Sequence, residues 1–306
     1  MTTSCRLYEN PDFQEMAGGV LRPGGYRITE EGMRLAGISE NAMILDVGCG
    51  LGSTLAHLEK VFDIRGIGID VSKAILVRGR NLHPELDLRE GAGEELEFQS
   101  LSFDGVLMEC TLSLFRNQPE ALHEAYCVLK HGGKLIVSDF YLRDPDDSLI
   151  LQEKKRRVEV LEDKLAEIRS KAREQIIDPA DENVHDHNHD NDCGSHDHDH
   201  DHDHDHGHEN GSCGCSDGIV PIGSCINGAF LKEDLLKIVE ETGYNVVSWM
   251  DKTRELGEFT AEIIMNYGSM EKFWESVLPE GQDASKHMED MAKVKLGYFL
   301  LVAEKA

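Results

Sequence analysis

The chain has 306 residues, a formal net charge of −27 at pH 7 and 40% hydrophobic residues, so it can bury a sizeable core as one large domain with an insertion. The excess of negative charge would repel a phosphate backbone, which excludes nucleic acid as a non-specific partner. No apolar run is long enough for a membrane span and residues 1–6 carry no hydrophobic signal core, so we expect a cytoplasmic protein with reduced thiols and no membrane partner.

An N-terminal cap segment, residues 1–40, precedes the first predicted strand. A helix is predicted to open near Thr29, a plausible N-cap. This helix could cover the edge of a sheet, or it could act as a lid over a ligand. The sequence leaves both alternatives open.

A glycine-rich turn follows the first predicted strand. Residues 44–52 read ILDVGCGLG, which predicts a buried strand, a tight turn and the start of a helix. Glycines at positions 48, 50 and 52 have no Cβ, so the backbone can turn sharply and approach a ligand. The N–H groups at the following helix start would face that ligand.

A second predicted strand, residues 67–70, ends at Asp70. An acidic residue at this point of a βαβ unit can bind ribose hydroxyls. The glycine spacing is Gly-x-Gly-x-Gly, which departs from the dinucleotide pattern and disfavours a pyrophosphate cofactor.

The next predicted strands are residues 86–91, 103–108 and 134–140, with a helix over 118–131 before the last of them. Ligands of open α/β sheets bind beyond the carboxyl ends of the strands. Residues 109–112 are therefore expected at the substrate end of the site.

Four of these segments resemble, in chain order, the motifs of class I S-adenosylmethionine-dependent methyltransferases: residues 46–52, Asp70, residues 103–108 and residues 128–139. The resemblance implies an α/β fold with a Rossmann-like seven-stranded sheet, helices on both faces and S-adenosyl-L-methionine as cofactor. Where the family often has an acid-Ala pair for the adenine, this chain has Ala-Gly at 92–93, so backbone groups or Glu94 would have to serve. The implied cofactor-binding residues are Asp46, Gly48, Gly50, Gly52, Asp70, Glu94 and Glu109.

The methyltransferase core of residues 41–145 is interrupted by an insertion, residues 146–218. Its first part, 146–175, predicts a long charged helix with a narrow apolar stripe. This helix could be a coiled arm, a contact for self-association, a cap over the site or a solvent-exposed helix.

The second part of the insertion, residues 178–218, is a low-complexity His/Asp tract that should be disordered without a ligand. Imidazoles and carboxylates suit Zn²⁺, Ni²⁺ or Cu²⁺, although a flexible solubilising linker would have the same composition. The candidate metal ligands are His196, His198, His200, His202, His204, His206 and His208.

Residues 219–306 form the C-terminal part of the predicted core. They predict a helix over 230–242, a strand over 244–250, a helix over 270–292 and a final strand over 296–302. The two strands would form the hairpin that closes the methyltransferase sheet.

Two cysteines bear on the substrate. The segments around Cys110 and Cys225 resemble those of arsenite methyltransferases, which implies that these two thiols bind trivalent arsenic. The match is incomplete, because Thr54 stands where that family has a further cysteine and Asn227 replaces a glycine. Two small buried core cysteines are the alternative.

The predicted function is therefore S-adenosylmethionine-dependent methyl transfer to a thiol-bound metalloid such as arsenite. As(III) carries its own lone pair and needs no general base, whereas an oxygen or nitrogen acceptor would need one, with Glu109 or His131 as candidates. The alternatives are a small-metabolite methyltransferase, and a metal-binding protein that uses the His/Asp tract on a methyltransferase scaffold.

Overall fold

A computed structural model of the protein describes residues 7–10, 13–14, 20, 22–143, 224–279, 281–293 and 295–306. The predicted helix over 146–175 and the His/Asp tract lie outside these described residues. Among the described helices, none combines the length and the apolar character that a membrane crossing requires.

Seven strands form one sheet in the order β3-β2-β1-β4-β5-β7-β6. The first five strands are parallel, and β7 runs antiparallel between β5 and β6. This arrangement confirms the predicted Rossmann-like seven-stranded sheet and its closing hairpin. The strands are β1 (Met43–Val47), β2 (Arg65–Asp70), β3 (Asp87–Glu90), β4 (Phe103–Glu109), β5 (Leu129–Leu142), β6 (Tyr244–Asp251) and β7 (Leu296–Lys305).

Helices cover both faces of this sheet, as predicted. The described helices are α1 (Gly25–Ala36), α2 (Ser53–Phe62), α3 (Lys73–Leu82), α4 (Gln118–Val128), α5 (Lys232–Thr242), α6 (Thr253–Tyr267), α7 (Met270–Val277) and α8 (Ala284–Lys293).

Neighbouring residues of the central strands point to opposite faces of the sheet. Ile44 packs in one cluster with Ile28 of α1, whereas Leu45 packs in another with Leu122 of α4. All four side chains are fully buried. Continuous apolar runs such as residues 106–108 are the consequence, because a parallel strand buried on both faces has no polar side.

Three helix predictions need correction. Helix α1 begins at Gly25 with Gly24 in the left-handed conformation before it, so Thr29 is a buried residue of the second turn and not the N-cap. Helix α4 ends at Val128 because β5 already begins at Leu129. The predicted helix over 270–292 is two helices, α7 and α8.

Helix α6 was missed in the sequence. It follows β6 directly and, with α7 and α8, builds a helical cap between β6 and β7. Phe13 from the N-terminal segment packs in this cap, with Ile263 of α6 and Phe273 of α7. Phe13 therefore lies against the cap, whereas α1, at the end of the same N-terminal segment, packs on the sheet.

Candidate functional site

The glycine turn after β1 adopts a backbone that side chains rarely allow. Gly48, Gly50 and Gly52 have φ values of 78°, 55° and 78°. A Cβ on Gly48 would lie 2.4 Å from Cγ2 of Thr111, whereas one on Gly50 would meet nothing within 4 Å. Gly48 thus permits a close approach to the turn after β4, and Gly50 faces open space.

Asp70, at the end of β2, ties this turn to the neighbouring strand. Its Oδ2 accepts a hydrogen bond from Gly50 N–H at 3.0 Å, and its Oδ1 accepts one from Ser72 N–H at 2.8 Å. These two hydrogen bonds fix the glycine turn against the end of β2.

One cavity of about 480 Å³ lies at the carboxyl ends of the strands, within the size range of small-molecule sites. The structure brings eight of the nine predicted cofactor and acceptor residues to its wall. Gly52 is the exception, because its Cα faces Leu86 and Leu88 and lets α2 begin close to β3. The eight are Asp46, Gly48, Gly50, Asp70, Glu94, Glu109, Cys110 and Cys225.

A buried ion pair lies beside the turn after β4. Arg22 Nη2 is 2.7 Å from Glu109 Oε2 and donates to Thr29 Oγ1 at 2.5 Å. The Thr29 hydroxyl in turn donates to Glu109 Oε1 at 2.8 Å. Arg22 and Thr29 were missed as site residues, since a lone arginine in a turn and a helix threonine give no signal in the sequence.

Asp46 is buried on the wall between Glu109 and Asp70. Burial, followed by the nearby Glu109 carboxylate, raises the pKa of Asp46 to about 7, while Arg22 opposes the shift. A cation placed beside Asp46 would lower this pKa again. The cavity wall can therefore bind a positively charged group beside Asp46.

The glycine at position 93, where the family often has alanine, has a packing cause. A Cβ on Gly93 would lie 2.4 Å from Cζ of Phe115, so an alanine there would collide with this ring. Glu94 Oε1 accepts a hydrogen bond from Arg116 N–H at 2.8 Å. Its role in adenine binding stays a prediction.

The two predicted thiols meet at the other end of the cavity. Cys110 follows β4 with φ 53°, and its N–H donates to Ser138 O at 2.7 Å. Cys225 begins the 3₁₀ turn Cys225–Gly228, and a Cβ on Gly228 would lie 1.8 Å from the carbonyl oxygen of Ser113. Because Gly228 has no side chain, the turn Cys225–Gly228 packs directly against the turn Leu112–Leu114, which contains Ser113.

Both thiols are partly buried and unoxidised. Burial, followed by hydrogen bonding with Cys225, raises the pKa of the Cys110 thiol well above its usual range. Tyr298 Oη lies 3.2 Å from Cys110 Sγ. The Cys110 thiol is therefore neutral until an electrophile or a metal ion takes its proton.

Three further residues, His131, Cys49 and Thr54, have different positions. His131 is exposed and lies 3.4 Å from the carbonyl oxygen of Ala306, outside the cavity wall, so the prediction that it could act as a base at this site is wrong. Cys49 is buried under the glycine turn in the space that Gly68 leaves, because a Cβ on Gly68 would lie 2.7 Å from its Sγ. Thr54, at the position of the family's further cysteine, lines the cavity.

Residues 45–137 match the family described as methyltransferase domain. Mouse arsenite methyltransferase is 32% identical in an alignment of 126 residues that covers 35% of this chain and 34% of that protein. The matches to three other curated relatives span between 26% and 59% of those proteins.

Solved structures confirm the fold over almost the whole chain. The [4+2]-cyclase SpnF superposes with a TM-score of 0.62 at 16% identity, over 98% of this chain and 93% of that one. Phosphoethanolamine N-methyltransferase 2 of Haemonchus contortus, in complex with S-adenosyl-L-methionine, gives a TM-score of 0.59 at 14% identity, over 96% of this chain and 56% of that one. One of these neighbours is described as a cyclase, so the fold alone does not fix the reaction.

Proposed function

We propose that this protein transfers the methyl group of S-adenosylmethionine to a small acceptor that binds at the Cys110–Cys225 end of the cavity. The observation that carries the proposal is the glycine turn: Gly50 faces open space, its N–H is held by Asp70, and the same cavity reaches both thiols. The match of residues 45–137 to a methyltransferase domain supports the same reading.

The charges on the wall fit this cofactor. The cavity is lined by four acidic and two basic side chains: Asp46, Asp70, Glu94, Glu109, Arg22 and Arg116. S-adenosylmethionine carries a sulfonium, an ammonium and one carboxylate, so its net charge is positive and complements an acidic wall. Bound there, it supplies an electrophilic methyl group.

Different residues of the cavity wall would contact the different parts of S-adenosylmethionine. Asp70 would accept from the ribose hydroxyls, and the exposed apolar side chains of Val71 and Leu114 would flank the adenine. Gln14 Oε1 and Arg22 Nε are buried and make no hydrogen bond within the described part of the chain. They would bind the polar amino-acid end, because a buried polar atom without a partner is costly unless a ligand satisfies it.

For the acceptor we propose a thiophilic metalloid such as arsenite. Two neighbouring thiols suit a soft trivalent centre, which would be held through two sulfur bonds as their protons leave with water. Such an acceptor attacks through its own lone pair and needs no general base. Neither of the two bases suggested by the sequence is placed for that role, since Glu109 is engaged by Arg22 and Thr29 and His131 lies outside the cavity wall.

The protein itself would contribute positioning and desolvation. The glycine turn would hold S-adenosylmethionine, and the turns that carry Cys110 and Cys225 would hold the acceptor. The buried wall would exclude water. A small metabolite is the second candidate acceptor, supported by curated phosphoethanolamine N-methyltransferases that match 42% of this chain.

The test is to replace each thiol separately by Cys110→Ser and Cys225→Ser. We expect arsenite-dependent formation of S-adenosylhomocysteine to fall by at least about 100-fold, the scale of a misplaced reactant, in each variant. Binding of S-adenosylmethionine, measured by isothermal titration, should remain. Full turnover in either variant would contradict the metalloid acceptor, and lack of cofactor binding in the unchanged protein would contradict methyl transfer altogether.

A further inference from the structure

Asp139 lies next to the two thiols and has no part in the proposed methyl transfer. A carboxylate oxygen of Asp139 and the Sγ atoms of Cys110 and Cys225 all lie within 4.8 Å of one another. Asp139 follows Ser138 in β5 and is fully buried, whereas both cysteines line the cavity. The three residues come from three separate segments that meet only in the folded chain.

The carboxylate of Asp139 is held in a fixed orientation. Oδ1 accepts hydrogen bonds from Ser113 Oγ at 2.8 Å and Phe140 N–H at 2.8 Å, and Oδ2 accepts one from Ser113 N–H at 2.9 Å. Oδ2 therefore retains one unused lone pair. Carboxylates that bind a metal ion are typically oriented by hydrogen bonds of this kind.

We propose that Cys110, Cys225 and Asp139 form a three-donor site for Zn²⁺, with its fourth coordination position reached from the cavity. Tetrahedral Zn²⁺ with bonds of about 2.3 Å to sulfur and about 2.0 Å to oxygen separates its donors by about 3.5–3.8 Å. The three atoms, which lie within 4.8 Å of one another, need to close by no more than about 1.3 Å to reach that geometry. Three protein ligands and one open position are the arrangement of exchangeable zinc sites.

Binding involves ligand exchange without oxidation. Two S–H bonds lose their protons to solvent as two Zn–S bonds and one Zn–O bond to the carboxylate form, and all but one of the waters of the hydrated ion leave. The Tyr298 hydroxyl, 3.2 Å from Cys110 Sγ, can donate to the resulting thiolate. Thiolates with an oxygen donor favour Zn²⁺ over Mg²⁺ or Ca²⁺, which prefer oxygen alone.

This inference assigns a metal site that the proposed function does not contain. It depends on that proposal for one consequence only: an ion bound to both thiols blocks a metalloid acceptor. Zn²⁺ in equimolar amount would then suppress arsenite-dependent turnover without weakening cofactor binding.

Co²⁺ in the full-length protein is the probe, because thiolate-to-cobalt charge-transfer absorption reports sulfur ligands specifically. The Cys110→Ser/Cys225→Ser double variant keeps the His/Asp tract and its cysteines, so the difference spectrum isolates this site. We expect charge-transfer absorption and four-coordinate cobalt bands in the difference spectrum, both removed by one equivalent of Zn²⁺. Identical spectra in the two proteins would overturn the proposal.

Two further variants test the oxygen donor. Asp139→Asn should weaken Co²⁺ binding by at least about tenfold, and Ser113→Ala by about 10- to 100-fold, the usual range for a lost supporting hydrogen bond. Ser113→Ala leaves the backbone N–H of residue 113 in place, so it remains informative if Asp139→Asn does not fold. Unchanged affinity in Ser113→Ala, or in a folded Asp139→Asn, would overturn the three-donor site.

Titration with S-adenosylmethionine separates this inference from the proposed function. Cofactor binding without the cobalt signal would contradict only the metal site. The cobalt signal without cofactor binding would contradict only methyl transfer.

Discussion

The two ends of the cavity are built in different ways. At one end, Gly50 in the turn after β1 is joined to Asp70 at the end of the neighbouring parallel strand β2 by a hydrogen bond of 3.0 Å from the Gly50 N–H to the Asp70 carboxylate. At the other end, Cys110 and Cys225 lie more than one hundred residues apart in the chain and meet because two turns pack against each other. The first end depends on one local stretch, whereas the second depends on distant packing. Substitutions should therefore damage either cofactor binding or acceptor binding, and rarely both.

The largest effect is expected at Gly48, the point where the two ends touch. In Gly48→Ala the new methyl group would lie 2.4 Å from Thr111, and the backbone has φ 78°. The left-handed conformation costs about 1–2 kcal/mol and the overlap about 1–3 kcal/mol, so we expect unfolding free energy to fall by about 2–5 kcal/mol. Chemical denaturation measures this loss of stability, and isothermal titration measures the accompanying loss of cofactor affinity.

Gly37→Ala is the matched control for this change. Gly37 has φ 66° at the end of α1, and a Cβ there would meet nothing within 4 Å. It should therefore lose only about 1–2 kcal/mol of stability and bind cofactor normally. Equal losses in the two variants would show that Thr111 yields readily and that the contact between the two ends is unimportant.

Gly228→Ala should break the acceptor end alone. Its methyl group would lie 1.8 Å from Ser113 O, so the two turns must separate and carry Cys225 away from Cys110. A displacement of about 1 Å can cost about 100-fold in rate, and we expect a loss of this size in arsenite-dependent turnover. Both thiols remain in this variant, so normal turnover would mean that their spacing has no role.

The same contrast explains what could be read from the sequence. The individual strands and the glycine turn were predicted because each is a contiguous run whose apolar character or glycine spacing is visible, whereas the seven-stranded sheet and its closing hairpin were implied by the resemblance to class I methyltransferases. Asp139 lay within a recognised motif, yet its proximity to two cysteines depends on three segments that meet only on folding. Arg22 was missed for a similar reason, since its role comes from its tertiary partner Glu109. Helix α6 was also missed, and its packing partners, such as Phe13, are likewise distant in the chain.

A smaller effect is expected from Asp70→Ala, which acts at the cofactor end. The variant removes an acceptor for Gly50 N–H and for the ribose, and lost hydrogen bonds to a charged group cost about 1–3 kcal/mol. Cofactor affinity in isothermal titration should fall by about 5- to 150-fold. Asp104→Ala is the control, because Asp104 bonds Met43 N–H and Lys130 at the start of β4 and lies outside the cavity wall. A comparable loss of affinity in Asp104→Ala would attribute the effect to general destabilisation.

The smallest effect is a pH dependence that originates at Asp46. Its pKa is raised to about 7 by burial and then by Glu109, so the protein without ligand binds a proton there that the unfolded chain releases near its ordinary value of 3.8. That proton stabilises the ligand-free fold at low pH, and the contribution is lost as the pH rises through about 7. A bound cation favours the ionised carboxylate and thus expels the proton.

Affinity for S-adenosylmethionine should consequently rise with pH up to about 7, by at most about tenfold per pH unit, and then level off. Titrations in two buffers of different ionisation enthalpy should show release of up to one proton below this pH. Asp46→Asn, which has no proton to release, should remove the slope between about pH 5.5 and 7. If the slope persists in Asp46→Asn, the proton released on cofactor binding comes from another group. The proposed role of Asp46 in attracting a cationic cofactor would then be contradicted.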